Sequence, residues 1–104
     1  MFSQQQIDAI DMEYFEILAA DPHNILVKSR NTQHSWYLFG CDTPNRPSVW
    51  IFHRHHDEDL FHRQTRTQSL PQAIRIIQRH DEFQLNDRIP VEHSIWDGVP
   101  LEGY

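Results

Sequence analysis

The densest group of reactive side chains lies within residues 49–64, VWIFHRHHDEDLFHRQ. An apolar run opens this stretch, and seven histidines and acids follow: His53, His55, His56, Asp57, Glu58, Asp59 and His62. Neutral imidazoles and carboxylates bind divalent transition metals, and they also serve as general acids and bases. The spacing of these residues matches no motif that specifies a reaction by itself.

The first chemical hypothesis is a metal site formed by His53, His55, His62 and Asp57. On an extended strand His53 and His55 point to the same side, and a turn at residues 57–59 would return His62 toward them. Three imidazoles and a carboxylate suit Zn²⁺, or Mn²⁺ and Fe²⁺, with one position left for an activated water. This hypothesis predicts a metal-dependent hydrolase.

Two other interpretations of the same segment stay open. In the first, the histidines are polar residues at a strand end, paired with the neighbouring acids and arginines. In the second, a metal-free ribonuclease would use His55 and His62 as base and acid and would hold phosphate with Arg63 and Arg66. The formal net charge of −6 weighs against this nuclease, because attraction to phosphate would be poor.

Other catalytic arrangements find little support in the sequence. His80 and Asp81 resemble a dyad, but the dipole of a helix C-terminus is a sufficient reason for a histidine there. Cys41 is the single cysteine, so no intrachain disulfide forms, and no base or helix N-terminus that would activate its thiol is visible. Glycine occurs only at positions 40, 98 and 103, which excludes a glycine-rich phosphate loop.

Composition indicates one small globular domain that spans residues 1–104. Nine Lys and Arg oppose fifteen Asp and Glu, which argues against a general nucleic-acid binder. The N-terminal residues lack a signal-peptide pattern, and no apolar run is long enough to span a membrane. We therefore expect a cytoplasmic protein that does not associate with membranes.

Alternating apolar and polar residues predict an antiparallel β-meander of four to five strands. The predicted strands cover residues 14–21, 24–30, 34–40, 48–55 and, in more polar form, 60–67. The fourth is apolar at consecutive positions, as is typical of a strand covered on both faces. The segment CDTPNRP at residues 41–47 contains two prolines and predicts a loop.

Two helices complete the predicted α+β architecture. Ser3 and Gln6 form a capping-box pattern before a short N-terminal helix at about residues 4–12. Ser69 is a favourable N-cap for the main helix, at about residues 69–84, which we expect across one face of the sheet. Residues 89–104 are irregular but apolar, and we expect an extended tail packed on the body or on a partner.

The sheet has more large apolar residues than one helix can cover. Trp36 and Leu38 alternate with Tyr37 and Phe39, and the fourth strand alternates in the same way. An open face with several aromatics would mark an interaction site. The candidate partner-binding residues are Trp36, Trp50, Phe52 and Trp96. In the alternative, Trp96 and Leu101 of the tail close this face.

The sequence therefore favours a non-catalytic protein-binding or accessory module over an enzyme. Its expected partner is another protein or a second copy of the chain as a homodimer, with nucleic acid not expected. This function requires no cofactor, whereas the rival hydrolase hypothesis requires Zn²⁺ or Mn²⁺/Fe²⁺ at the histidines.

Overall fold

Five antiparallel strands form one sheet in a computed structural model of the chain, which describes residues 1–43 and 46–86. Neighbouring strands in sequence are neighbours in the sheet, in the order β1-β2-β3-β4-β5. The predicted α+β meander is thus confirmed, with five strands. Their bounds are β1 Phe15–Ala20, β2 Asn24–Ser29, β3 Ser35–Thr43, β4 Arg46–Arg54 and β5 His62–Thr67.

Two helices are present in the described residues, α1 Gln4–Asp8 and α2 Leu70–Leu85. The Ser3 hydroxyl accepts a hydrogen bond from the Gln6 backbone amide, and the Gln6 side-chain oxygen accepts one from the Ser3 amide. The predicted capping box is therefore present. Helix α1 is nevertheless shorter than predicted. Ser69 is the N-cap of α2, as predicted, and its hydroxyl accepts the Gln72 amide at 3.3 Å.

The hairpin of β3 and β4 extends farther than the sequence indicates. Strand pairing continues to Asp42 opposite Pro47 and Thr43 opposite Arg46, within the segment that the sequence predicts as a loop. Pairing of β4 with β5 ends at Val49, so among residues 1–43 and 46–86 no strand pairs with Pro47 on the other side of β4. A missing N–H is tolerated at such an unpaired edge.

Helix α2 covers one face of the sheet and closes a hydrophobic core. The core includes Phe15, Ile25, Val27, Trp36, Leu38, Val49 and Ile51 from the strands and Leu70, Ala73, Ile76 and Ile77 from α2. Phe2 and Ile10, on either side of α1, belong to the same cluster. Both helices therefore pack on the same face, and α1 does not cover the second one.

The N-terminal residues are held against the sheet at Gly40. The Phe2 amide donates to the Pro22 carbonyl at 2.7 Å, and the Gly40 amide donates to the His23 carbonyl at 2.8 Å. A Cβ atom at position 40 would lie 2.9 Å from Cζ of Phe2 and closer still to Met1. Only glycine leaves space for Phe2 in the core.

The opposite face of the sheet carries no helix in the described part of the chain. Tyr37 and Phe39 of β3 point away from α2, as do Trp50 and Phe52 of β4, in the alternation expected from the sequence. Phe39 is 37% exposed, and the other three are half-buried. Among the described residues no helix combines the length and hydropathy that a bilayer crossing requires.

Candidate functional site

Three histidines from separate elements converge at one end of the core. His34 ends the turn between β2 and β3, His53 lies on β4, and His80 lies on α2. His53 and His80 are fully buried, and His34 is half-buried. We call this set the core histidine cluster.

The nitrogen atoms of the core histidine cluster are close enough to share one ion. Nε2 of His53 and Nδ1 of His34 share a hydrogen bond of 3.0 Å, in which the tautomers decide the donor. One ligand nitrogen from each of the three residues lies within 4.8 Å of the other two. The ring centroids of His53 and His80 are 4.6 Å apart.

Trp36 fixes the position of the His53 ring. The two rings stack at 4.1 Å with an angle of 18° between their planes, and the edge of His80 meets Trp36 at 5.0 Å. Burial lowers the pKa of His53 to about 2, with further contributions from the neighbouring imidazoles, of which His80 contributes most. His53 is therefore neutral at physiological pH, the form that binds metals.

A buried hydrogen-bond network holds the α2 side of the cluster. Asp81 accepts the Tyr14 hydroxyl at 2.7 Å on one oxygen and the Thr32 hydroxyl at 3.0 Å on the other. Nε1 of Trp36 donates to Ser29 Oγ at 3.1 Å, and the Ser29 side chain also hydrogen-bonds Asp81. Burial raises the pKa of Asp81, although its three hydrogen-bond partners oppose that shift.

The four sequence-predicted metal ligands are only partly brought together. The His55 ring centroid is 4.7 Å and the His62 centroid 5.4 Å from that of His53. His53 points into the core, whereas His62 is exposed and His55 stacks on His34 at 4.3 Å. Asp57 forms a salt bridge of 3.1 Å with Lys28.

The second candidate site is the uncovered face of the sheet, which we call the open face. Its aromatic residues are Tyr37, Phe39, Trp50, Phe52 and Phe61, the last from the segment before β5. Tyr37 stacks on Phe52 at 5.5 Å and meets Phe61 edge-on at 6.3 Å. The rings of Tyr37, Phe52 and Phe61 thus form one contiguous group on this face.

Arginine side chains lie over the aromatic rings of the open face. The Arg54 guanidinium is 4.3 Å from the Phe61 centroid, and those of Arg63 and Arg66 are 5.5 and 5.6 Å from the Trp50 centroid. These distances are within the range of cation–π attraction. This part of the open face is therefore aromatic and rich in arginine, although the whole chain is acidic.

The sequence-predicted partner-binding residues fall into three groups. Trp50 and Phe52 lie on the open face. Trp36 is fully buried under α2, so it does not contribute to that surface. Trp96 lies outside the described residues.

Sequence patterns do not single out His34, and they explain His80 only through the helix dipole. These two residues and His53 are separated by 19 and 27 positions, so no local motif connects them. One signal was available. Position 80 continues the stripe of Ala73 and Ile77 on α2, which places its imidazole in the core.

Comparison with known proteins finds no matching family profile, no matching curated sequence and no matching solved structure. The geometry of the described residues is therefore the basis for the functional proposals.

Proposed function

We propose that this protein is a non-catalytic binding module, and that the open face binds an acidic, partly apolar segment of another protein. The observation that carries the proposal is the continuous aromatic surface of Tyr37, Phe52 and Phe61, flanked by Trp50 with its arginines. Tyrosine, tryptophan and arginine are enriched in binding hot spots.

The arginines determine the charge of the expected partner. Arg63 and Arg66 are exposed, so their guanidinium groups can form bidentate hydrogen bonds with carboxylates while they stay near Trp50. Lys28 is already paired with Asp57. Carboxylates on the partner would compensate the arginine charges, and apolar side chains between them would cover the rings.

A second copy of the chain fits this face less well than an acidic partner. A two-fold axis through the open face would bring the same patch of each subunit together, and with it Arg54, Arg63 and Arg66 of both copies. Like charges in such an interface oppose association. Homodimerisation through this face therefore stays a prediction from the sequence, as does the cytoplasmic location.

Single-stranded nucleic acid is the other polymer that aromatic rings and arginines can bind. The net charge of −6 disfavours it, because binding to phosphate depends strongly on cationic side chains and on their long-range attraction. We therefore favour the acidic polypeptide and use nucleic acid as a comparison in the test. The hydrolase based on His53, His55 and His62 stays a prediction from the sequence.

The proposal is tested by fluorescence anisotropy with the chain of residues 1–104. The probe is a labelled synthetic peptide in which Asp and Glu alternate with Ile and Trp, and a second peptide carries Lys in place of the acids. We expect saturable binding of the acidic peptide alone. The double substitution R63E/R66E should weaken it about tenfold or more, because it reverses charges beside Trp50.

The matched control is R75E, which reverses an exposed arginine on α2, away from the open face. This variant should bind the acidic peptide as the natural chain does. Failure of the natural chain to bind it would overturn the proposal, including the case in which residues 87–104 already cover the face. Tighter binding of an oligouridine strand than of the peptide would also overturn it.

A further inference from the structure

We propose that the core histidine cluster, His34, His53 and His80, binds a divalent transition metal ion, with Zn²⁺ as the best match. The site lies on the face of the sheet that α2 covers, opposite the open face. The metal proposal therefore goes beyond the proposed binding function. Each of the two proposals can fail without the other.

The separation of the nitrogens fits a small tetrahedral ion. Two nitrogens that are each 2.0–2.1 Å from a tetrahedral zinc lie about 3.3 Å apart. The 3.0 Å between His53 Nε2 and His34 Nδ1 is close to this value. The third ligand atom, from His80, lies within 4.8 Å of both. Small side-chain rotations that move the ring nitrogens by about an ångström would complete the site.

The buried imidazole of His53 is only partly satisfied by hydrogen bonds. Its Nε2 shares a hydrogen bond with Nδ1 of His34, and its Nδ1 has no hydrogen-bond partner in the described residues. Polar groups without hydrogen bonds are costly in a protein core. An ion bound at Nε2 would replace this hydrogen bond by coordination to both nitrogens, and its binding free energy would offset part of the cost of burying the imidazole.

The ligand set indicates which ions the site would accept. All three ligands are imidazoles, which suit zinc, copper, nickel and iron, whereas magnesium and calcium require oxygen ligands. The nearest carboxylate in sequence, Asp81, is already engaged by Tyr14 and Thr32. Three imidazoles leave a fourth tetrahedral position for water or another ligand.

This site differs from the one that the sequence analysis predicted. Only His53 is common to both sets. His62 is exposed on the strand edge, and Asp57 is paired with Lys28 at the surface. The core histidine cluster instead connects a turn, a central strand and α2, three elements whose positions the core fixes.

The test uses the chain of residues 1–104 without a histidine tag, after treatment with a chelator. Zinc chloride is titrated calorimetrically, and Co²⁺ is added in a parallel sample to record the visible absorption of a tetrahedral cobalt site. We expect one ion per chain. The variant H34Q should lose at least about 100-fold in zinc affinity, more than is typical when only an outer-shell partner is removed.

Three comparison variants, H56Q, H55Q and H62Q, test whether the loss of zinc affinity is specific to the core histidine cluster. H56Q removes an exposed histidine outside the cluster and should bind zinc with unchanged affinity. H34Q alters a half-buried turn residue, so its fold can be verified by circular dichroism without metal. The proposal is overturned if the natural chain binds no stoichiometric zinc, or if H34Q retains full affinity. It is also overturned if H55Q and H62Q abolish binding while H34Q does not.

Discussion

The Tyr14 hydroxyl donates a hydrogen bond of 2.7 Å to Oδ2 of Asp81, a residue 67 positions later in the chain. The other carboxylate oxygen accepts the Thr32 hydroxyl at 3.0 Å. Asp81 of α2 is thus hydrogen-bonded both to the residue before β1 and to the turn between β2 and β3. The same turn carries His34, and the residue before Asp81 is His80, so the network positions two members of the core histidine cluster.

Substitution of Tyr14 by Phe should lower the free energy of unfolding by about 1.5–3 kcal/mol. The change removes a hydrogen bond to a buried carboxyl group and leaves one oxygen of Asp81 without that donor. Urea denaturation followed by circular dichroism measures the difference. The matched control is Y37F, which deletes a hydroxyl that bonds the neutral side chain of Asn24. An equal loss in the two variants would contradict the special role of Asp81.

Substitution of His53 by Leu should remove the stabilisation that zinc gives to the natural chain. Without metal, we expect the free energy of unfolding to change by no more than about 1 kcal/mol, because loss of the hydrogen bond to His34 opposes the gain from removing an unpaired buried nitrogen. The natural chain should gain about 2.7 kcal/mol at zinc concentrations 100 times its dissociation constant, and the variant should gain nothing. Thermal melts with and without zinc chloride measure both effects. A zinc-dependent gain in H53L equal to that of the natural chain would contradict the role of His53 as a ligand.

Substitution of Gly40 by Ala should destabilise the protein by about 1–3 kcal/mol, since the new methyl group would overlap Met1 and Phe2. Met1 is flexible, but the Phe2 ring is buried and must move. Combining G40A with F2A tests this cause, because the two losses should then be less than additive. If chemical denaturation shows that the two losses of stability are fully additive, the destabilisation by G40A does not arise from contact with Phe2.

The Lys28–Asp57 pair should contribute a small, pH-dependent increment of stability. The hydrogen bond from Lys28 and the positive charge of Lys28 lower the pKa of Asp57 in the folded chain. The contribution is therefore present above the unfolded pKa of about 3.9 and disappears as pH falls through the lower folded value. The melting temperature of D57N should be slightly below that of the natural chain at pH 7 and equal to it in strong acid. High salt should reduce the difference, since Asp57 is exposed.

E58Q is the control for that comparison, because Glu58 is an exposed neighbour in the same turn. Its melting temperature should follow that of the natural chain across the pH range. A difference for D57N that persists in strong acid would show that the substitution acts through the turn rather than through charge.

The fold followed from local patterns because the meander is made of local pairings. The alternating pattern predicted the strands, and Ser69 predicted the start of α2. The structure confirms both predictions. The exception is the segment around Pro47, where proline predicts a loop. Strand β4 tolerates the proline there because its pairing with β5 stops at Val49. Sequence patterns do not reveal where one strand stops pairing with the next.

The sites were harder to predict than the fold because they depend on residues that are distant in sequence. The segment with the most histidines contributed only His53 to the core histidine cluster, and the other members come from a turn and a helix. The open face was more accessible, since period-two alternation places Trp50 and Phe52 opposite Ile51. What alternation did not reveal is that arginines would lie over the rings.

The consecutive strand order has a consequence for self-assembly. Within the described sheet β1 and β5 are the two edges, where unpaired backbone groups could recruit a strand from another molecule. A register shift between Ile17 and Ala19 bends β1, and the exposed Arg63 and Arg66 place charge along β5 beside a second shift. Bulges and charges at edges discourage the addition of foreign strands, so the same arginines that would attract an acidic partner also protect the protein from growth into fibres.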